Sequence, residues 1–323
     1  MDKTVLVTGI GGNVGQGILR NIIHCDYNVR IVGTDTVAVS AGNHLCDVVY
    51  SVPIASATEY IPEMRKLCDY EKVDLIIPST DIETYFLALA AEKLPQLSSS
   101  SVDVSLTFYN KLLTWKSFNK SSIPFAETMM ASEYRNNFLS YIVKPITGVG
   151  SRNIFINPDH VESFSDEYVV QRLYKGIEIT TAFYVTKQKE LHGFITFTRT
   201  LCNGMTQQCE VTKRYDLQLE RLLHQILKLF YIKGSCNIQS IVDETTGQII
   251  PFEINGRISG TNSIRAQFGF EDVRYTLDEY LFNRSPQPPH IINGSAIRMM
   301  MDIIYPNKEL KEIKNNHDKY YQF

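Results

Sequence analysis

Glu253, Asn255 and Arg257 occupy alternate positions of the run Phe252-Glu253-Ile254-Asn255-Gly256-Arg257. In an extended strand this spacing puts the three side chains on one face. An apolar strand buries much of its surface, so three polar groups on one face need partners. Gln239 lies in an earlier strand-like run, Asn237-Ile238-Gln239, and the turn Asp-Glu-Thr-Thr-Gly at 243–247 folds the two runs against each other. Gln239, Glu253 and Asn255 would then offer converging oxygen atoms to hard divalent cations that keep water and phosphate as their remaining ligands. Arg257 on the same face would grip a phosphate with two parallel N–H bonds.

Three earlier segments add to this chemistry. Asn110-Lys111 opens a helix. Lys144-Pro145 is followed by a glycine-bearing turn with Gly148, Gly150 and Ser151; a lysine at a strand end can hold phosphate oxygens while backbone N–H groups of the turn cover them. Gln171-Arg172-Leu173 reads as a strand edge whose backbone can pair with an adenine edge, and Glu178 follows where a carboxylate can accept from ribose hydroxyls. Singly these signals are weak, because a strand-end lysine is ordinarily a solvated charge and a lone glutamine a surface amide. In this order they are the parts that handling of a metal-bound nucleoside triphosphate requires. Arg199, Lys213 and Arg265 are candidates for gripping a substrate carboxylate or acyl phosphate, and Asp81 and Glu83 for facing a second substrate.

The elements that must position these residues fall into two grammars. Up to about residue 100, short apolar strands (Thr4 to Thr8, Val29 to Gly33, Asp47 to Val52, Val73 to Ile77) alternate with helical patterns (Val14 to Ile23, Glu59 to Cys68, Asp81 to Lys93). That alternation predicts a parallel, doubly wound α/β sheet. Ser98 to Ser101 reads as a boundary, and Thr107 to Asn119 as one helix stopped by Ile123-Pro124. Beyond Phe125, consecutive strands replace the alternation: Tyr168 to Leu173, Glu178 to Thr186, Leu191 to Thr200 and Met205 to Val211. An amphipathic helix from Asp216 to Phe230 and two more strands, Ser235 to Val242 and Gln248 to Ile254, complete an α+β pattern. The polar residues after Tyr305 are expected to fray.

Thr8-Gly9-Ile10-Gly11-Gly12-Asn13-Val14-Gly15, between the first strand and helix, has the look of a dinucleotide-binding loop, with Asp35 where a ribose-binding acid would sit. Taken alone it would predict an NAD-dependent oxidoreductase or epimerase. The Tyr-x-x-x-Lys pair of short-chain enzymes is absent, however, and glycines here also serve close packing of the helix on the sheet.

Composition narrows the classes. The 323 residues carry a net charge of −3, so no global positive field gathers a nucleic-acid backbone. The six cysteines form no CxxC pair, and histidines show no metal-type spacing; the expectation is reduced, mostly buried thiols in a cytoplasmic protein. No stretch of about 18 apolar residues predicts a membrane span.

The four segments and their order resemble the ATP-grasp superfamily, in particular its carbamoyl-phosphate-synthase-large-subunit-like branch. Asn237-Ile238-Gln239 and Phe252 to Ser259 are similar to that branch's paired metal strands, and Pro78-Ser79-Thr80-Asp81-Ile82-Glu83 to the segment closing its N-terminal domain. The resemblance implies a Rossmann-like pre-ATP-grasp domain (1–105), a small lid subdomain with its lead-in helix (106–175) and a C-terminal subdomain with the metal site (176–323). It implies ATP as cosubstrate with Mg2+, two ions or Mn2+ in their place, held by Gln239, Glu253 and Asn255. Lys111 and Lys144 would touch the phosphates, Gln171, Arg172 and Leu173 the adenine, and Glu178 the ribose, with Arg257, Lys144 and Arg199 in catalytic roles. The implied activity is an ADP-forming carboxylate–amine ligase working through an acyl phosphate, on small-molecule acid and amine substrates, and a homodimer is common among relatives. The NAD-dependent enzyme and a non-catalytic nucleotide-binding relative are the alternatives. Neutral Gln239 makes the metal set less anionic than a two-glutamate version, and Asn110 stands where an aspartate is common.

Overall fold

The computed structural model describes residues 3–148 and 153–323. Apolar runs at 2-residue and 3.6-residue spacing resolve into the two predicted grammars. Strands β1 (Lys3–Val7), β2 (Val29–Asp35), β3 (Val48–Ser51), β4 (Leu75–Ile77) and β5 (Gln96–Leu97) form one parallel sheet, ordered β3-β2-β1-β4-β5. Helices α1 (Asn13–His24), α2 (Tyr60–Glu71) and α3 (Asp81–Leu89) connect them. One face buries Val5, Val7, Ile18, Ile22 and Leu75, and the other Leu6, Val32, Met64, Leu67 and Ile76. Strands of a parallel sheet covered on both faces are apolar where they are covered, as Val5 to Val7, Ile31, Val32 and Leu75 to Ile77 are.

Helices α4 (Val102–Tyr109) and α5 (Lys111–Lys120) lead into a four-stranded antiparallel sheet. Its strands are β6 (Thr128–Met130), β7 (Tyr141–Pro145), β8 (Phe155–Ile156) and β9 (Tyr168–Arg172), ordered β6-β9-β7-β8. The larger sheet contains β10 (Gly176–Val185), β11 (Leu191–Cys202), β12 (Met205–Val211), β13 (Gly234–Asp243), β14 (Ile249–Asn255) and β15 (Ser295–Ile297), ordered β14-β13-β10-β11-β12-β15. Helix α6 (Asp216–Leu229) lays Leu219, Leu222, Leu223 and Ile226 into the core on this sheet with Phe183, Cys236 and Ile238. Short helices α7 (Asn262–Gln267) and α8 (Asp272–Thr276) follow, and β16 (Ile303–Ile304) pairs with β17 (Tyr321–Gln322) near the end of the chain.

Three expectations are corrected. The helix expected over 107–119 is two helices. Asn110 takes an extended conformation that ends α4, and its Oδ1 accepts from Leu113 N at 3.0 Å to cap α5. Asn110→Ala is expected to cost about 1 kcal/mol, the usual worth of such a cap, read from a urea unfolding curve. The helix expected over 81–93 ends at Leu89, and the chain then enters the unpredicted edge strand β5. The residues after Tyr305 do not fray: Ile313 is buried, Asn316 N donates to Cys46 O at 2.9 Å, and Tyr320 packs edge-on against His44 with ring centroids 5.1 Å apart. A polar segment is held here by backbone hydrogen bonds, which composition does not reveal. Among the described residues no helix is long and apolar enough to cross a membrane.

Candidate functional site

The two strands that carry the alternating polar residues are neighbours, and Gln239 is paired directly with Glu253. A register shift follows at Ser240, which pairs with Pro251. Bulges of this kind re-aim side chains, and proline, which cannot donate to the ladder, is tolerated at them. Glu253, Asn255 and Gln239 meet as the alternation predicts: Asn255 Nδ2 donates to Glu253 Oε1 at 3.2 Å and Gln239 Nε2 to Asn255 Oδ1 at 3.4 Å. These three line a cavity of about 770 Å³ that runs from the small sheet to the first glycine loop. Lys111, Lys144, Gly148 and Arg257 line it too, as do Gln171, Arg172, Leu173, Glu178 and Arg199. Gly150 and Ser151 lie outside the described residues.

Lys144 is not the solvated charge that a strand-end lysine ordinarily is. Its side chain is 4% exposed; Nζ donates to Gln171 Oε1 at 2.8 Å and stands 5.7 Å from the centre of the Phe252 ring. Burial brings its pKa down to about 8; Glu253 opposes that shift and Lys111 adds to it. Burial would raise the pKa of Glu253, but Lys111, Lys144, Asn255 and Arg257 outweigh it and hold the carboxylate below its ordinary value. Gln171 is saturated by protein partners, since Nε2 donates to Thr128 Oγ1 at 2.9 Å and Phe252 O at 3.2 Å. It therefore orients Lys144.

Residues 171–173 are not the strand edge expected from the sequence. Strand β9 is interior, between β6 and β7, and the N–H groups of Arg172 and Leu173 donate to Glu127 O and Ser140 O. The Arg172 side chain turns outward to Glu127, 3.0 Å away, and over the Tyr174 ring. Nor is Glu178 unpaired: Arg199 Nη2 and Nε donate to its Oε1 at 2.7 and 3.0 Å. The same guanidinium donates to Gln239 Oε1 at 2.6 Å, so Arg199 joins the expected ribose acid to the expected metal ligand. Arg257 Nη2 and Nε both donate to Asp81 Oδ2, at 2.6 and 3.0 Å, rather than presenting an open fork. Asp81 opens α3 behind the capping residue Thr80 and also accepts from Asn255 Nδ2 at 3.4 Å. This pairing was not read from the sequence; the only signal was an acid in the first turn after Pro78-Ser79-Thr80.

Arg265 is overturned as a substrate grip. It is fully buried, its Nε donates to Asp272 Oδ1 at 3.0 Å, and Nη1 donates to Ser259 Oγ and Thr261 Oγ1 at 2.9 Å each. Lys213 reaches Ile291 O on the surface. Glu83 accepts from Thr8 Oγ1 at 2.8 Å and Thr80 Oγ1 at 2.7 Å, closing the α3 cap onto the first loop.

The glycine loop spends its groups internally. Gly11 N donates to Asp35 Oδ2 at 2.7 Å and Gly12 N to Gly9 O at 3.1 Å, so the acid expected at a ribose holds the loop instead. Two glycines permit close packing. A Cβ on Gly15 would stand 2.3 Å from Gly9 O, and one on Gly17 would stand 2.2 Å from Asn262 Oδ1, where α1 rests on α7. The glycines therefore fit the helix to the loop and to the second half of the chain.

A single carboxylate flanked by two amide oxygens, with two lysines and two arginines around it, suits a divalent cation and a polyphosphate together. Among the described residues no cluster of three or more His, Cys, Asp or Glu forms a metal site. The fold is an α+β unit, whose strands and loops line this cavity, preceded by a parallel α/β domain. Residues 5–101 match the family PylC-like, N-terminal domain, and residues 108–261 the ATP-grasp domain family. An ATP-grasp domain match over 108–261 thus follows a PylC-like N-terminal domain match over 5–101.

Solved structures agree on the fold. N5-carboxyaminoimidazole synthetase from Staphylococcus aureus, complexed with ADP, superposes with a TM-score of 0.72 at 12% identity, over 94% of this chain and 83% of that one. The biotin carboxylase domain of the Hydrogenobacter thermophilus 2-oxoglutarate carboxylase, a dimer complexed with MgADP, ADP and bicarbonate, gives 0.70 at 14% identity, over 91% and 73%. Carboxyaminoimidazole ribonucleotide synthase from Aspergillus clavatus, complexed with ATP, gives 0.70 at 16% identity, over 94% and 82%. No curated protein sequence matches the chain.

Proposed function

We propose that the protein is an ADP-forming carboxylate–amine ligase. The observation that carries this reading is the meeting of Glu253, Asn255 and Gln239 with Lys111, Lys144, Arg199 and Arg257 in one cavity. Mg-ATP would supply the phosphoryl group that turns a carboxylate into an acyl phosphate, with ADP as the leaving group; an amine would then attack the acyl carbon and displace phosphate. Glu253, Asn255 and Gln239 would hold magnesium, as one ion or two, with manganese as a substitute. Lys144, aimed by Gln171, and Lys111 would hold phosphate oxygens. Arg199 and Arg257, kept in place by Glu178 and Asp81, would be positioned to meet negative charge as it develops. No protein nucleophile is required, so positioning and electrostatics carry the rate. The acid and amine are small molecules, and the ADP complexes of its structural neighbours support the nucleotide assignment.

Hydroxylamine tests the reaction without knowledge of the amine, because it traps an acyl phosphate as a hydroxamate. A screen of carboxylic acids with Mg-ATP should yield one class that gives hydroxamate and ADP in equal amounts. Binding of Mg-ADP with no hydroxamate from any acid would contradict the ligase and favour a nucleotide-binding relative without turnover.

Lys144 gives the site a pH dependence. Phosphate binds the charged lysine, and in the ligand-free protein that charge is lost as pH rises through about 8. Affinity for Mg-ADP is therefore expected to fall above that pH, approaching tenfold per unit, and Lys144→Arg should flatten the profile. Stability of the ligand-free fold moves the other way. Between about 8 and the ordinary lysine value of 10.5 the unfolded chain holds the extra proton, so stability rises with pH there. Calorimetry and unfolding curves across pH 6.5–9.5 separate the two effects.

A further inference from the structure

A second cavity, of about 320 Å³, lies outside the main one and shares no lining residue with it. It opens where the end of β10 and the 186–190 turn meet the last turn of α6 and the segment leading into β13. Val185, Leu229, Phe230 and Ile232 give it apolar walls, and Lys189, Lys228 and Tyr231 line it as well.

Lysines from separate segments converge here. Lys189 Nζ stands 4.2 Å from the centre of the Tyr231 ring, and Lys233 Nζ stands 5.0 Å from the same centre. The ring holds both cations against their mutual repulsion. Lys228 reaches the cavity from the last turn of α6. None of these three ammonium groups forms an ion pair or hydrogen bond among the described residues. The chain as a whole carries a net charge of −3, so this unpaired positive charge is a local feature.

Structure alone accounts for part of the cluster. A cation at the end of α6 complements the helix dipole, which covers Lys228 but not the others. Lys189 sits at φ 71°, in the left-handed region that favours glycine or asparagine, so turn chemistry does not call for a lysine there. Cations beside an apolar hollow match a molecule with a charged head and a short hydrocarbon body. The volume is near the lower end of the roughly 300–1,000 Å³ usual for small-ligand sites.

We propose that this pocket is a second ligand site, for a small amphiphilic anion with a carboxylate or phosphate head. Phe230 to Ile232 run directly into β13, the strand that carries Gln239, so an occupant would bear on the scaffold of the main cavity without entering it. The site stands without the ligase reading.

The test titrates the whole protein calorimetrically, with and without Mg-ADP, using octanoate, hexyl phosphate, octanamide and acetate as probes. Octanoate or hexyl phosphate is expected to bind the wild type, and the tighter of the two names the head group. Octanamide, which lacks the charge, and acetate, which lacks the body, should bind about tenfold more weakly than octanoate. Affinity for the favoured amphiphile should fall severalfold in Lys189→Met and about tenfold in Lys189→Met with Lys228→Met, with Mg-ADP affinity unchanged. Lys111→Met, in the main cavity, should leave it as it is. Lys189 and Lys228 are both exposed, so these variants keep the fold. The site is overturned if neither amphiphile binds, if the double variant binds as the wild type does, or if Mg-ADP abolishes the binding. Octanamide or acetate binding as tightly as octanoate would overturn the amphiphilic anion as its ligand.

Discussion

Glu253→Gln is expected to lower turnover on the order of 10²–10³-fold and to make nucleotide affinity nearly indifferent to magnesium, with the protein still folded. Among Gln239, Glu253 and Asn255 it is the one carboxylate, and the substitution removes its charge while keeping its volume. A neutral set of three amides leaves a hard cation bound by dipoles alone. The two lysines feel the change as well, because Glu253 opposes the loss of the proton on Lys144. In the variant the pH above which Mg-ADP affinity falls should therefore move below the wild-type value near 8. Rates of hydroxamate formation and Mg-ADP titrations at several magnesium concentrations give both readouts. An unchanged magnesium dependence would show that the cation is held elsewhere.

The largest effect on stability is expected at Arg265. Arg265 and Asp272 both have side chains that are 0% exposed, and Ser235 Oγ adds a hydrogen bond to the aspartate. Removing one partner leaves a buried charge without compensation, which costs about 3–5 kcal/mol. Arg265→Met should lower the unfolding free energy by that amount, whereas Arg265→Met with Asp272→Leu should recover much of it, because an apolar pair of similar volume costs far less. Mg-ADP affinity of the folded fraction should hardly move. A selective loss of activity at wild-type stability would restore Arg265 to the substrate site.

How far the sequence could be read depends on range. The alternation Glu253-x-Asn255-x-Arg257 is local, strand geometry turns it into a shared face, and the hairpin turn at 243–247 brings Gln239 opposite Glu253. The partners of the arginines are not local in this sense. Arg257 meets Asp81 across 176 positions, and no periodicity links them. Arg199 was expected at a substrate and Glu178 at a ribose, and nothing in their spacing announced that they meet each other. Asn110 carried its own clue, since asparagine favours caps over helix interiors, yet the apolar pattern on both sides reads as one helix. Residues 171–173 misled for a related reason: whether a strand is an edge depends on its neighbours, and β6 and β7 come from elsewhere in the chain. The glycine loop has two readings, and the Asp35–Gly11 bond, which ties the acid to the loop itself, favours the packing one.

The central claim is that the cavity around Glu253 and Lys144 takes a metal-bound adenine nucleotide and that the first glycine loop takes no dinucleotide. Calorimetric titration of Mg-ADP and of NAD into the wild-type protein and a Glu253→Ala, Lys144→Ala double variant tests both halves at once. The account predicts magnesium-dependent ADP binding in the micromolar range, lost in the variant, and no heat from NAD. Tight NAD binding that survives in the variant, with no response to Mg-ADP, would contradict it.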